Sequence, residues 1–256
     1  MQRRIVGLCC LMVLSALTAA LPAQAQGSES GKPPIYTYVS EWAVPRDQWR
    51  DFAKVRADEK PTMDKLIADG TIVSYGDFAN ILHQEGHPTH GSWFTATSIT
   101  NLLKALEAIY KLPQVTFPVF AASKHWDFFL VSEAHNERSG NFKGGYLAGG
   151  GFDVTSGHGH EFSELIKNNL VPIFEKLLAD GAVTSYSVDT EEFHSEDPGR
   201  VTLVYTAADA TGVDKVESAL DSALGKNPAL LAAFHAAVER KGHRDFLARI
   251  DTMVNK

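Results

Sequence analysis

Residues 35–42 are rich in Tyr, Val and Ile and read as a strand. From Pro45 the period lengthens. Trp49, Phe52, Val55, Met63, Leu66 and Ile67 form a spaced apolar stripe as far as Asp69, which predicts a helix. Gly70 stands where a C-terminal glycine closes a helix, and Pro61 must kink that helix or split it. Strands follow at residues 71–79 and 91–97, with a turn at 83–89. A helix at 99–110 carries Leu102, Leu103, Leu106 and Ile109 on one stripe. Residues 113–122 have no decisive period, and residues 126–132 read as a fourth strand. The order is β-α-β-β-α-β.

The same order then recurs. Residues 146–154 predict a strand loosened by Gly149, Gly150 and Gly151. A helix spans 160–180 and stops at Gly181, and strands lie at 182–188 and 200–207. A helical region at 213–240 breaks near Pro228, and a strand covers 244–250. The recurrence is also literal. At a shift of 111, residues 61–96 meet 172–207 without a gap and 12 of the 36 pairs are identical, among them Tyr75/Tyr186 and His83/His194. At a shift of 118, His125-Trp-Asp-Phe meets His243-Arg-Asp-Phe. A period near 110 suits a duplicated small domain and is too long for a solenoid repeat.

Each unit therefore has the split-βαβ, ferredoxin-like plan, with two helices on one face of an antiparallel sheet. The other face has to be buried, and a tandem copy supplies the partner. The expected fold is α+β: two tandem ferredoxin-like units packing sheet to sheet as a pseudo-dimeric α/β barrel. The units span 35–133 and 145–253, joined by a polar linker at 134–144.

Composition narrows the setting. Arg3 and Arg4, an apolar stretch to Leu21 and Ala23-Gln24-Ala25 read as a signal peptide over residues 1–25, which implies a periplasmic or secreted protein. Residues 26–34 read as a disordered tail. The only cysteines, Cys9 and Cys10, leave with that signal. The mature chain is then expected to have neither a disulfide nor a thiolate ligand. The formal net charge is −7 and no run of basic residues occurs, which argues against a nucleic-acid partner. After the signal no apolar stretch is long enough to span a membrane. A monomeric pseudo-dimer or a homodimer both suit the duplication.

With its duplicated units, the chain resembles the dimeric α/β-barrel superfamily in tandem single-chain form, over residues 35–251. The resemblance implies a small-molecule site between the sheets. It brings three function classes: a ligand-binding module, a cofactor-independent monooxygenase acting on polyketide-like aromatics, and a haem protein. The sequence itself names no cofactor, leaves haem or a metal ion open, and assigns no metal site. Whether the chain is an enzyme stays open too.

Candidate ligand-binding residues are the duplicated His83 and His194, the duplicated Tyr75 and Tyr186, and Trp42 and Trp93 on predicted strands. A cavity lined by Trp and Tyr suits a flat apolar ligand. His87 and His90 share the first turn region with His83, and His158 and His160 open a helix. His125 and His243 read as structural duplicates. At a shift of 111, Trp42 and Trp93 face Asp153 and Val204, which permits one asymmetric pocket. There is no G-x-S-x-G, HExxH or phosphate-binding glycine loop, and no catalytic residue is assigned.

Overall fold

The computed structural model describes residues 32–194, 199–239 and 241–256, apart from the side chains of residues 114 and 115. The expected signal peptide and most of the expected tail lie outside the described residues. Lys32 to Pro34 already belong to the fold. The Lys32 ammonium donates to Asn136, and the Pro33 carbonyl sits 3.0 Å from Nε2 of His135.

The first unit runs β1 (Ile35–Ala43), α1 (Trp49–Ala68), β2 (Ser74–Asn80), β3 (His90–Ala96), α2 (Ile99–Tyr110), a short α3 (Pro118–Ala122) and β4 (Lys124–Glu137). A three-residue strand β5 (Gly140–Phe142) follows. The second unit runs β6 (Tyr146–Asp153), α4 (Gly159–Asn169), α5 (Val171–Ala179), β7 (Val183–Phe193), β8 (Arg200–Ala207), α6 (Ala210–Gly225), α7 (Pro228–Ala237) and β9 (Arg244–Asn255).

Local chemistry repeats with the sequence. Ser98 caps α2 by accepting from the Asn101 N–H, and Asp209 caps α6 by accepting from the Gly212 N–H. Gly70 and Gly181 both have φ of 77°, past the ends of α1 and α5, where a side chain would be strained. The two prolines act differently. Pro61 lies inside α1, whereas Pro172 starts α5 after a break at Leu170.

The nine strands of the described residues join in one sheet, ordered β2-β3-β1-β4-β7-β8-β6-β9-β5, and β2 also pairs with β9. That last pairing closes eight strands into a barrel. The expected facing of two sheets is therefore completed at the edges. The fourth strand of each unit pairs with the second strand of the other, β4 with β7 and β9 with β2. This explains why both fourth strands outrun their predicted ends. β4 continues to Glu137 and β9 to Asn255 because the neighbouring unit offers backbone partners there. Much of the expected linker is strand for the same reason. Closure leaves no open edge on these eight strands.

Helices pack on the outside of the barrel. Their cores centre on Met63, Leu66, Tyr75, Phe94 and Leu102 in the first unit, and on Phe162, Ile166, Phe174, Leu177 and Tyr205 in the second. No described helix is long and apolar enough to cross a membrane.

Candidate functional site

Strand alternation sends every second side chain inward. The barrel encloses a cavity of about 870 Å³. Thr37, Val39 and Glu41 of β1 line it, with Trp93 and Thr95 of β3, and Trp126, Phe128 and Leu130 of β4. From the second unit come Ser187 and Asp189 of β7, Thr202 and Val204 of β8, and Arg244 and Phe246 of β9.

Register makes the two halves directly comparable. In the first unit Gly76 pairs with Trp93 and Phe78 with Gly91. The glycines make room: a Cβ at Gly76 would lie 2.2 Å from the Trp93 ring, and one at Gly91 2.3 Å from the Phe78 ring. In the second unit the same positions are Ser187 with Val204 and Asp189 with Thr202. Aromatic rings thus fill one wall, while hydroxyls and a carboxyl occupy the other.

The seams between units diverge in the same way. At β2/β9, Phe78 pairs with Ile250, and both are buried with Leu147, Ala248 and Met253. At β4/β7 the equivalent pair is Asp189 with Ser132. Ser132 donates to one oxygen of Asp189, and Ser187 donates to the other at 3.0 Å. Asp189 is 5% exposed. Burial outweighs those two donors and pushes its carboxyl up to about 6. Further along this seam burial pushes the Glu137 carboxyl up to about 7, partly opposed by Lys32.

The sequence-derived candidates are scattered by this geometry. Trp93 stands on the cavity wall. Trp42 packs outside the barrel, among Val44, Phe52 and Phe120, and stacks on His125 at 3.5 Å. Its register counterpart is Phe152, not Asp153, because β1 and β6 align at a shift of 110. Tyr36 pairs with Ala96 as Tyr146 pairs with Ala207. Phe152 lies against His243 at 4.6 Å, so the aromatic–histidine contact is itself duplicated. Tyr75 and Tyr186 also turn outward. Tyr75 donates to Asp64 of α1 at 2.6 Å and Tyr186 donates to Glu175 of α5. These are matching helix-to-sheet ties, and of the two only Tyr186 also borders the cavity.

His83 is exposed after β2 with its ring 5.3 Å from Trp49, and His194 is exposed after β7. Neither lines the cavity. His90 is buried against Trp49 and Phe52, and burial pushes its imidazole down to about 4, helped by His83. His158 pairs with exposed Glu161 at 2.7 Å, away from the barrel interior. Among the described residues no three His, Cys, Asp or Glu side chains gather as a metal site would require.

Haem reading requires an axial histidine. The cavity's imidazoles are His87, on the exposed β2–β3 turn, and His135, held by the Pro33 carbonyl. Its buried wall adds Ser74, Thr95, Asp189 and Thr206. The Pro33 contact occupies one ring nitrogen of His135 and leaves the other free, so His135 is the described cavity residue that could hold a haem iron.

Asp189, Ser132, Arg200 and Arg244 were absent from the sequence-derived candidates. A signal existed: at the shift of 111, Phe78 meets Asp189 and Thr89 meets Arg200. Charged residues replacing apolar or small ones at inward positions mark where one copy acquired a different task.

The architecture is that of the dimeric α/β barrels, in tandem single-chain form. Among solved structures, the chain is similar to a putative monooxygenase from Lactobacillus acidophilus NCFM, with 11% identity and a TM-score of 0.64. That match covers 88% of this chain and 97% of the other. A putative monooxygenase from Fusobacterium nucleatum matches with 12% identity and a TM-score of 0.62, over 87% and 94% of the two chains. A putative chlorite dismutase matches with 10% identity and a TM-score of 0.51, over 85% and 94%. Identities this low establish a shared fold. No protein-family model matches the chain, and no curated protein does.

Proposed function

We propose that the barrel binds a small, flat, largely apolar molecule that carries a hydroxyl, in the periplasm or outside the cell. The observation behind this reading is a buried carboxyl, Asp189, facing a cavity whose opposite wall is aromatic. Trp93, Trp126, Phe78 and Phe128 offer ring faces, while Asp189, Ser187 and Thr202 offer hydrogen bonds. Few polar groups in an apolar cavity orient a ligand. The exported location rests on the N-terminal leader pattern.

Native mass spectrometry and an absorption spectrum of protein purified from the periplasm give the first test. A bound organic mass lost on denaturation supports the proposal. Titration with 2-naphthol, read by quenching of tryptophan fluorescence, gives the second. Binding that weakens about tenfold in Asp189→Asn supports the assignment. Absence of both a copurified organic ligand and naphthol binding overturns it. The same spectrum reports whether the chain pairs with a second copy.

One observation favours turnover as a second reading. A carboxyl pushed up to about 6 is a stronger base than an ordinary aspartate and can take the proton of an enol or phenol. With dioxygen as oxidant, a substrate methylene would become a carbonyl, one oxygen atom entering the product and the other leaving as water. Oxygen uptake with an anthrone-type substrate, abolished in Asp189→Asn, tests this step. No uptake removes the reading.

A further inference from the structure

A row of inward positions crosses the second unit at the level of Asp189. Asp189 pairs with Thr202, Thr202 with Gly151, and Gly151 with Arg244. Four adjacent strands thus carry a carboxyl, a hydroxyl, a bare backbone and a guanidinium in line. Arg200 adds a second guanidinium, two residues before Thr202 on the same strand face. A Cβ at Gly151 would come within 2.5 Å of the Arg200 guanidinium. Glycine at that position is what lets Arg200 lie along the inside of the wall beside Arg244.

One nitrogen of Arg200 pairs with Asp153 at 3.1 Å, while its Nη2 and Nε face Gly151. Arg244 has no ion-pair partner among the described residues and is exposed toward the cavity mouth. The first unit holds Thr89, Glu41 and Trp126 where the second holds Arg200, Gly151 and Arg244, by the register of β1 with β3 and β4. The cationic feature therefore occurs once, and a carboxylate, Glu41, stands at the matching place across the barrel.

Resting on the binding reading above, we propose that the ligand is an aromatic acid. Its carboxylate sits between Arg200 and Arg244, its ring lies against Trp93 and Trp126, and a hydroxyl at its far end meets Asp189. Paired guanidinium groups recognise a planar carboxylate through charge-assisted hydrogen bonds. Three strand spacings separate Asp189 from Arg244, about 14 Å between backbones. The length of the arginine side chains shortens that gap to the span of a two-ring acid.

The test compares 6-hydroxy-2-naphthoic acid with its methyl ester and with 2-naphthol, by calorimetry on the full mature chain. The acid should bind about tenfold tighter than the ester, and the preference should vanish in Arg200→Gln/Arg244→Gln. Unchanged affinity of that variant for 2-naphthol shows that its cavity is intact. Equal binding of acid and ester by the parent protein overturns the acid-specific inference and leaves the binding reading standing. Failure to bind any of the three, in a chain that also copurifies with no organic ligand, overturns both.

Discussion

The two seams of this barrel are built from equivalent strands of the two units in the same register, yet one is oily and the other is polar. At β2/β9 Phe78 meets Ile250, and at β4/β7 Asp189 meets Ser132. Fold and backbone pairing are common to both, so the chemistry of the cavity resides in side chains that the duplication left free to change. The apolar seam resembles ordinary core. The polar seam holds a carboxyl in a place that raises its proton affinity, a cost that a purely structural seam would avoid.

The sharpest way to separate the seams is to empty the oily one. Phe78→Ala should lower stability by about 3–5 kcal/mol, measured from urea midpoints at constant slope. A loss below about 1 kcal/mol would mean that the seam does not carry core packing.

Acid titration probes the other seam. Asp189 has an ordinary carboxyl pKa of 3.8 when unfolded and about 6 in the fold. The folded protein then holds a proton that the unfolded chain has released. Stability from this group is fully present below about pH 4 and is lost as pH rises through about 6, by about 3 kcal/mol in all. Asp189→Asn should flatten this fall. His90 acts in the opposite sense: its pKa is depressed to about 4 from 6.5, so its contribution is present above pH 6.5 and lost as pH falls through about 4. The difference between parent and Asp189→Asn isolates the carboxyl from the histidine. Parallel pH profiles would refute the raised pKa.

A smaller effect tests how the oily wall makes room for its rings. Gly91→Val places a side chain where the Phe78 ring stands and should cost about 1–3 kcal/mol. Combined with Phe78→Ala it should recover part of that variant's loss. Strict additivity would deny the contact.

The smallest effects lie where the halves agree. Tyr75→Phe and Tyr186→Phe each remove one tyrosine–carboxylate hydrogen bond between sheet and helix. Each should cost about 1 kcal/mol, and the two should be alike. Unequal losses would show that the divergence extends beyond the barrel interior.

Sequence pattern revealed the architecture because the duplication kept what backbone geometry demands: Gly70 and Gly181 at positive φ, and Ser98 and Asp209 as helix caps. Those positions tolerate few residue types, so they stay recognisable. The site was less legible for the same reason. Identical pairs such as Tyr75/Tyr186 and His83/His194 draw the eye, but their common task is holding helices on the sheet or decorating turns. Pocket residues hide among the mismatches. Which face of a strand points inward depends on register, and a one-residue slip between β1 and β6 reassigns Trp42 from Asp153 to Phe152.

Suppose the two halves were separate chains free to choose partners. Two copies of the first would set Ser132 against Phe78 at both junctions, and two copies of the second would set Ile250 against Asp189. Each self-match buries a hydrogen-bonding group beside a hydrocarbon, with its proper donor or acceptor on the wrong molecule. Only the mixed pair satisfies both junctions. The seam residues therefore amount to a mating code, by which each half recognises its unlike sibling and rejects itself.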